Sequence, residues 1–209
     1  KVIFNLTGGF KSVQGFMQAL GMLYADETLY VFENSRELLR LPRLPLRLDV
    51  ETPVRETLAL WRRLDVGLPV REDEVRGLPE IFFLVDGGKV ALSEWGELAW
   101  RGVRGKLLSE RVWPSIDAKV RFGEGFERST RDCSADERRL INERVAELAR
   151  HLLEPNKYNP RHLDFKKLAA PHQGSTHECD AWAHGGAKRL FGHFEQGVFV
   201  IDRLAEGLH

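Results

Sequence analysis

The chain opens with KVIFNLTGGFKS (residues 1–12), in which a short apolar run meets two glycines and a lysine. The β-rich run at 2–6 predicts a strand, and apolar residues recur at helical spacing over 10–24. A second apolar run, TLYVFE at 28–33, predicts another strand. Strand, turn, helix and strand in this order predict a βαβ unit, which implies a parallel sheet in an α/β layer.

The turn between this strand and helix has the chemistry of an anion site. Glycine lets the backbone approach a ligand closely, and the unpaired amides of a helix N-terminus favour an anion. The spacing matches neither the Walker pattern nor the dinucleotide fingerprint, so a tight structural turn with a solvated lysine is the alternative. The candidate phosphate-binding residues are Thr7, Gly8, Gly9, Lys11 and Ser12.

The middle of the chain has a different pattern. Prolines interrupt the leucines of 38–49, which predicts an extended edge or connecting segment because proline cannot donate to a central strand. TPVRETLALWRRLD (52–65) predicts a helix with a threonine cap and a proline at its first helical position. IFFLVDGGKVAL (81–92) predicts a hairpin, and 93–108 predicts a helix. This order resembles a small winged-helix module, and a connecting helical layer is the alternative.

The last third predicts a long helix followed by an antiparallel meander. KVRF (119–122) predicts a short strand. The helix over 134–155 begins with a capping box, formed by Ser134 and Glu137. Glycine turns then separate four strand-like pieces, at 163–170, 175–185, 187–197 and 198–209.

The predicted fold class is therefore α/β plus α+β, in three parts. We expect a partial Rossmann-like domain over 1–50 and a winged-helix-like or connecting region over 51–115. An α+β domain, with a long helix and an antiparallel sheet, is expected over 116–209. The sequence does not begin with methionine, so truncation or processing ahead of Lys1 is also expected.

Composition limits the possible partners. Thirty-one basic residues balance thirty-one acidic ones, so any nucleic-acid site must be local. The two cysteines give no disulfide framework and fit a reducing compartment. Neither a signal peptide nor a bilayer-length apolar run is present, so we expect a cytoplasmic protein with no membrane partner. All seven histidines lie from His151 onward, which indicates two functional halves.

The two middle strands of the meander place polar side chains on one predicted face, because side chains alternate along a strand. Lys166 and Lys167 lead into this face, and His209 lies near the exit of the final strand. From the two strands themselves, the face carries Glu178, Asp180, Trp182, Arg189, Phe191 and His193.

This residue set suits RNA cleavage with neither a metal nor a cofactor. A 2′-hydroxyl attacks the adjacent phosphate while one group removes its proton and another protonates the leaving 5′ oxygen. Histidine suits either role near neutral pH, arginine and lysine stabilise the phosphorane charge, and Trp182 would stack on a base. Replacing Arg189 with alanine is expected to abolish cleavage and leave the fold intact. The candidate catalytic residues are Lys167, Glu178, Arg189, His193 and His209.

Two simpler interpretations of the same residues stay open. In the first interpretation, the only role of Glu178 and Arg189 is a cross-strand ion pair. The second interpretation is a metal site formed by His177, Cys179 and His184, although their spacing matches no recognised metal motif.

The first fifty residues resemble the CRISPR-associated Rossmann-fold (CARF) domain. The resemblance lies in NLTGGFKS (5–12), in the helix and strand over 15–33, and in LLRLPRLPLRLD (38–49). It implies that the glycine turn and its lysine bind a cyclic oligoadenylate messenger at a dimer axis. Members of that family carry an earlier strand with its own ligand loop, so 1–50 would be the C-terminal part of the sensor.

Residues 119–209 resemble the RelE/HigB class of toxins, which are ribosome-dependent mRNA interferases. The shared features are the helical start, an FKKL-type strand (165–168) and a final VFVID-like strand (198–202). Lys167 and Arg189 fall on basic positions of that class, and His209 lies near its C-terminal basic cluster. Asp180 stands where an arginine is common.

Together the two halves resemble a CARF–RelE fusion, a CRISPR-associated mRNA interferase. The resemblance implies a homodimer activated by cyclic tetra-adenylate, captured by a ribosomal stalk protein, that cleaves mRNA on the ribosome. One alternative is a ring nuclease that degrades the messenger with Lys11 and its neighbours. Another is a messenger-controlled regulator that binds DNA through 51–115.

Overall fold

The computed structural model describes residues 1–8, 11–31, 37–45, 49–183 and 185–208, with the backbone alone for Lys11 and Ser12. The chain forms two compact units, Lys1–Asp49 and Val50–His209. Helices and strands occur in both, so the predicted mixed α/β and α+β class is confirmed. Within the described ranges, no helix is both long enough and apolar enough to cross a membrane.

The first unit contains the predicted βαβ arrangement. Strand β1 (Ile3–Asn5) is followed by helix α1 (Lys11–Tyr24) and strand β2 (Glu27–Val31), and the two strands pair in parallel. Strand β3 (Leu38–Leu41) pairs antiparallel with β2 and ends before Pro42. The proline-rich segment therefore contributes a short strand at the edge of this sheet, as its composition predicts.

The second unit begins with two short helices. Helix α2 (Glu51–Glu56) and helix α3 (Leu58–Asp65) replace the one helix that the sequence predicts. The predicted threonine cap and first-position proline are both wrong, because α2 begins at Glu51, so that Thr52 is its second residue and Pro53 its third. Thr57 separates the helices, and its hydroxyl donates to the carbonyl oxygen of Pro53 at 2.7 Å.

The predicted hairpin and the helix that follows it are confirmed. Strands β4 (Phe83–Asp86) and β5 (Lys89–Leu92) pair antiparallel around the Asp-Gly-Gly turn. Helix α4 (Glu94–Glu110) follows, and the hydroxyl of Ser93 caps it by accepting from the amide of Gly96 at 3.1 Å. Because serine satisfies an otherwise unpaired amide, the helix start is well defined.

Aromatic side chains form the core of this helical layer. The indole of Trp61 is 1% exposed and packs on Phe82, Phe83 and Trp100, with ring centroids 5.7, 5.4 and 6.2 Å away. Residues of α2, α3, the hairpin and α4 all contribute to this one cluster. The layer thus buries its own apolar surface.

The remaining elements form a five-stranded sheet covered by a long helix. The strand order is β6-β10-β9-β8-β7, and the last four strands form the predicted antiparallel meander. Strand β6 forms one edge of the sheet and pairs in parallel with β10. The elements are β6 (Val120–Phe122), α5 (Glu124–Thr130), α6 (Ala135–Leu153), β7 (Lys166–His172), β8 (Ser175–Trp182), β9 (Lys188–Glu195) and β10 (Val198–Glu206).

Helix α6 begins at the predicted capping box. The amide of Glu137 donates to the Ser134 hydroxyl at 3.3 Å, and the Glu137 carboxylate accepts from the amide of Ser134 at 2.8 Å. Further along the helix, Ile141 and Leu148 are fully buried in a core that includes Leu190 of β9. The helix therefore covers one face of the sheet and leaves the other for polar side chains.

Asn142 of α6 joins the helical layer to the sheet layer. Its Nδ2 donates to the carbonyl oxygens of Leu108 at 2.8 Å and Arg111 at 2.7 Å, and its Oδ1 accepts from the amide of Trp113 at 2.8 Å. The side chain of Asn142 is 1% exposed. A buried polar group of this kind fixes one arrangement of the chain, because any other would leave its partners unsatisfied.

Two glycines of this unit should respond to alanine in opposite directions. A Cβ at Gly192 of β9 would lie 2.3 Å from the carbonyl oxygen of Val200 and 2.6 Å from the ring of Phe199. We expect Gly192→Ala to lower the free energy of unfolding by about 1–3 kcal/mol through overpacking. Urea denaturation measures the change.

The control is Gly102→Ala in the interior of α4, where a Cβ meets no atom of the described residues within 4 Å. Alanine there should raise the free energy of unfolding by about 0.5–1 kcal/mol through helix propensity. If Gly192→Ala left the free energy of unfolding unchanged or raised it, the packing around β9 would differ from the structure.

Candidate functional site

The turn after β1 holds the ends of two strands together. The amide of Val31 donates to the hydroxyl of Thr7 at 2.9 Å, and the amide of Thr7 donates to the side-chain oxygen of Asn5 at 2.9 Å. Gly8 has a φ of +77°, a left-handed conformation that glycine adopts without strain. Thr7 therefore has a structural contact at this site, and its hydroxyl proton remains free to be donated.

The other members of the predicted phosphate site are only partly described. Gly9 and the side chains of Lys11 and Ser12 lie outside the described residues. The backbone of Lys11 and Ser12 forms the first turn of α1. Strand β1, the bend at Thr7 and Gly8, and the start of α1 thus follow one another in the order that the sequence predicts.

The face of the second sheet opposite α6 carries a row of side chains across three strands. Glu178 of β8 is paired with Phe191 of β9, which is paired with Arg203 of β10. The guanidinium carbon of Arg203 lies 4.7 Å from the centre of the Phe191 ring, and Phe191 is fully buried. This face is therefore a packed polar layer with an aromatic ring beneath it.

Arg189 lies at the centre of one cluster on this face. Its guanidinium donates to Glu178 and Asp180, each at 2.5 Å, and also to Asp164. Lys166 pairs with Asp164 at 2.7 Å. These five residues, called the Arg189 cluster below, place three carboxylates against two cations.

The Arg189 cluster is closely paired but not completely satisfied, because within the described residues Oε2 of Glu178 and Nε of Arg189 are buried without a hydrogen-bond partner. Hydrogen bonds from Lys166 and Arg189 hold the pKa of Asp164 below its usual value. Burial opposes the charged form of Arg189, but the hydrogen bonds that it donates to Asp164 and Asp180 outweigh burial and raise its pKa. A phosphate group would reach this guanidinium only by displacing a carboxylate. The predicted cross-strand contact between Glu178 and Arg189 is present.

A second cluster surrounds Asp202, where the pairing of β10 with β9 is irregular. The Asp202 carboxylate accepts from the hydroxyl of Ser175 at 2.7 Å and lies 3.0 Å from Nδ1 of His193. Arg203 donates to the same Ser175 hydroxyl at 3.0 Å and to the carbonyl oxygen of His172 at 3.2 Å. Ser175, His193, Asp202 and Arg203 are called the Asp202 cluster below.

The Asp202 cluster orients one histidine ring. When Nδ1 carries the proton and donates it to Asp202, the opposite nitrogen, Nε2, is the acceptor of the ring. The His193 side chain is 35% exposed, so its outer edge is open to a substrate. A carboxylate that fixes the tautomer of a partly exposed histidine is an arrangement suited to proton transfer.

Lys167 lies away from these clusters. It pairs with His177 across β7 and β8, whereas its neighbour Lys166 pairs with Glu178. Because paired residues share a face and adjacent ones alternate, Lys166 takes the position that the sequence assigns to Lys167. Lys167 was thus assigned to the wrong face. His209 lies outside the described residues.

The prediction that Trp182 is an open stacking platform is wrong. The register of β8 against β9 shifts between Asp180 and Trp182, so Trp182 turns to the face of α6. Its ring is 8% exposed, and its indole nitrogen donates to the carbonyl oxygen of Gly186 at 3.0 Å. A β-bulge of this kind reverses the side-chain alternation on which the prediction depended.

Asp202, Arg203 and Ser175 were not predicted as site residues. One signal was available, because polar Asp202 and Arg203 are consecutive and directly follow the apolar run Val198–Ile201 of the same strand. Two adjacent polar residues in such a strand indicate a bulge that turns both to one face. Ser175 gives no comparable signal, since serine at the start of a strand is common.

The alternative metal site has unfavourable ligands. Burial raises the pKa of Cys179 to about 12, so its thiol stays protonated and is a poor ligand. The ring of His177 is stacked on Phe165, with the ring centroids 5.5 Å apart, and its Nδ1 already contacts the hydroxyl of Thr176 at 2.9 Å. His184 lies outside the described residues.

Comparison with known proteins bears on the first unit. A family model described as CRISPR-associated protein (Cas_APE2256) matches residues 1–44. No curated protein gives a significant match to the chain. The match spans β1, α1, β2 and β3, so this part of the chain is similar to a CRISPR-associated family, and it does not extend to the Arg189 and Asp202 clusters.

Arg189→Ala should destabilise the protein, contrary to the expectation that its fold would stay intact. Glu178 and Arg189 are only 7% and 15% exposed, and removal of one partner leaves a buried charge. We expect a loss of about 3–5 kcal/mol in the free energy of unfolding at pH 7. Chemical denaturation measures it.

Two comparisons make this prediction specific. Arg121→Ala removes an exposed ion pair with Glu195 and should cost at most about 1 kcal/mol. The difference in the free energy of unfolding between the wild type and Arg189→Ala should shrink as the pH falls through the lowered pKa of Asp164. Protonation of Asp164 removes its charge, so the wild type also loses this ion pair at low pH. A cost equal to that of Arg121→Ala would contradict the structure.

Proposed function

We propose that the protein is a messenger-gated, metal-independent endoribonuclease of CRISPR antiviral defence that cleaves mRNA on the ribosome. The match of residues 1–44 to a CRISPR-associated family supports the first part of this proposal. The observation that carries the nuclease activity is the contact between His193 and Asp202 on a partly exposed polar sheet face.

The reaction needs a base, a stabilising charge and an acid. Nε2 of His193 takes the proton of a 2′-hydroxyl, and the 2′ oxygen forms a bond to phosphorus as the bond to the 5′ oxygen breaks. A second group protonates that 5′ oxygen, and His209 is the candidate. The products are a 2′,3′-cyclic phosphate and a 5′-hydroxyl end, with no atom drawn from water.

Arg203 is the cation best placed to stabilise the charge on phosphorus. It donates to the Ser175 hydroxyl and to the carbonyl oxygen of His172, which are neutral acceptors, and no carboxylate of the described residues forms an ion pair with it. Arg189 donates to three carboxylates and is better suited to holding Glu178 and Asp180 in place. In this proposal Arg189 and Glu178 position the face, and His193 and Arg203 contact RNA.

The first unit provides the switch in this proposal. The turn over Thr7 to Ser12 binds cyclic tetra-adenylate, and a homodimer changes between two arrangements as the messenger binds. Differential affinity of the messenger for the two arrangements is what makes cleavage conditional. A ribosomal stalk protein is the proposed docking partner, which would supply the ribosome contact that a chain of zero net charge lacks.

The decisive experiment uses the natural full-length protein in a reconstituted translation reaction. New 5′ ends on the mRNA are mapped with and without cyclic tetra-adenylate. Ends that require both ribosomes and messenger, in register with codons, support the proposal. Cuts on naked RNA would remove the ribosome from the mechanism, and loss of cyclic tetra-adenylate without mRNA cleavage would favour a ring nuclease.

His193→Gln should lower the cleavage rate by about 10²- to 10⁴-fold, because glutamine keeps the polarity but cannot exchange a proton. The measurement is the rate of appearance of 5′-hydroxyl ends at saturating messenger. His162→Gln is the matched control, since His162 is exposed and contacts Glu147 of α6 rather than the polar sheet face. Equal rates in the two variants would refute the role of His193.

Lys11→Ala should lower stimulation by cyclic tetra-adenylate at least about tenfold, because a cation near the helix start attracts the messenger phosphates. The measurement is the messenger concentration that gives half-maximal cleavage. Lys1→Ala is the control, since the ammonium of Lys1 pairs with Glu27 at 3.1 Å in the same unit. An unchanged half-maximal concentration in Lys11→Ala would argue against messenger binding at this turn.

A further inference from the structure

Four aromatic rings meet near the tip of the β9–β10 hairpin, on the face of the sheet that α6 covers. They belong to Phe165, just before β7, to His177 of β8, to Phe194 of β9 and to Phe199 of β10. Phe194 is paired with Phe199, and the hairpin turn at 196–197 lies one residue pair beyond them. The proposed reaction does not use this group of rings, which is called the Phe194 platform below.

Gly192 of β9 makes room for the platform. It is paired with His177 of β8, and a Cβ on this glycine would lie 2.6 Å from the ring of Phe199. Because glycine has no side chain, the Phe199 ring lies close to the backbone of β9 and is fully buried. The other three rings pack around it, with centroids 5.2, 5.3 and 6.3 Å from its own.

Phe194 is the outermost ring of the platform. Among the phenylalanines and tryptophans that the structure describes in the second unit, it alone is exposed, at 44%. Its ring plane makes angles of 90°, 84° and 63° with those of His177, Phe165 and Phe199, at centroid distances of 5.1, 6.4 and 5.2 Å. Edge-to-face contacts of this kind stabilise aromatic pairs, so the orientation of the ring is fixed while part of its surface meets water.

Lys167 adds a positive charge beside the platform. It is paired with His177 across β7 and β8, so the two side chains share a face. Burial, followed by the charge of Lys167, lowers the pKa of His177, so this ring is neutral at pH 7. Lys166 pairs with Asp164 and Glu178, whereas no carboxylate of the described residues pairs with Lys167. The charge next to the rings is therefore not cancelled by an ion pair.

An exposed aromatic ring beside an unpaired cation is typical of surfaces that bind single-stranded nucleic acid. The face of a base stacks on the ring, and a phosphate of the backbone meets the cation. An apolar protein segment would use the ring but would leave the lysine without a partner. The chemistry of the platform thus favours a strand of RNA over an apolar protein segment.

We propose that the Phe194 platform holds an unpaired base of an RNA strand by stacking on Phe194, with a neighbouring phosphate on Lys167. This inference rests on the proposed function, because the strand that it names is the RNA to be cleaved. Stacking tolerates every base, so the platform adds affinity without sequence preference. Phe194 takes the role that the sequence assigns to Trp182, which is buried.

The position of the platform suits a strand that also reaches His193. His193 and Phe194 are consecutive in β9, so the Asp202 cluster and the platform lie on opposite faces of one hairpin. The hairpin turn begins two residues after Phe194. An RNA strand that passes over this tip therefore contacts both faces within a few nucleotides.

Binding of 2′-O-methyl octauridine, labelled with fluorescein at its 5′ end, tests the proposal with the full chain. The 2′-O-methyl group removes the nucleophile of the proposed cleavage, and uridine does not resemble the adenylate messenger. We expect saturable fluorescence anisotropy that weakens as the salt concentration rises, because phosphate contacts release counterions. Absence of saturable binding at low salt, with the chain at hundreds of micromolar, would overturn the proposal.

Phe194→Leu is the decisive variant and should weaken the affinity for octauridine at least about fivefold, because leucine keeps the apolar bulk but has no π face. Phe194→Tyr should keep the affinity of the wild type, which separates stacking from a loss of packing. The matched control is Tyr24→Leu in the first unit, where the aromatic residue is 45% exposed. Equal affinities of Phe194→Leu and Tyr24→Leu would overturn the platform and leave this surface to a protein partner.

Lys167→Gln tests the phosphate contact. It should lower the affinity and reduce the slope of log affinity against log salt by about 0.7, the value for one phosphate of a single strand. Lys157→Gln is the control, since Lys157 is 77% exposed and pairs with Glu154. The same slope in both variants would overturn the contact of Lys167 with phosphate.

Failure of this inference and failure of the proposed function give different results. Binding that depends on Phe194, without cleavage of unmodified mRNA under any condition, would support the platform and refute the nuclease. Cleavage of mRNA at equal rates by the wild type and Phe194→Leu, with equal affinities for octauridine, would keep the nuclease and overturn the platform.

Discussion

The arrangement of the second unit depends on the buried side chain of Asn142. It bonds to the end of α4 and to the segment that follows, so the helical layer and α6 take one relative position. Arg62 reinforces this joint from α3 by donating to the backbone of Asn142. Because α6 also covers the sheet, the position of the polar face is set indirectly by one amide.

Irregular pairing determines which side chains reach that polar face. One shift in β8 turns Trp182 into the core, and another in β10 brings Asp202 and Arg203 to the same side. The result is two adjacent clusters with different electrostatics. The terminal nitrogens of Arg189 donate to three carboxylates, whereas His193 contacts one carboxylate on a partly exposed edge and Arg203 donates to neutral oxygens.

Periodicity and capping signals predicted most of the fold. The βαβ unit, the hairpin, the capping box of α6 and the meander all follow from local rules that the chain obeys. The candidate site was predicted less well, since Lys167 and Trp182 were assigned by strict alternation and bulges break that rule. His193 and Asp202 lie on different strands. Which residues meet across two strands depends on the strand register, and a single sequence does not reveal where a bulge shifts it.

The position of β10 in the sheet has a consequence for the order of synthesis. This strand lies between β6 and β9, although β6 precedes it by some eighty residues of chain. While a ribosome makes the protein, β6 has no partner and His193 has no carboxylate until Asp202 emerges. The Asp202 cluster therefore forms only after β10 has been synthesised, and the same strand completes the pairing of β6 and the contact of His193.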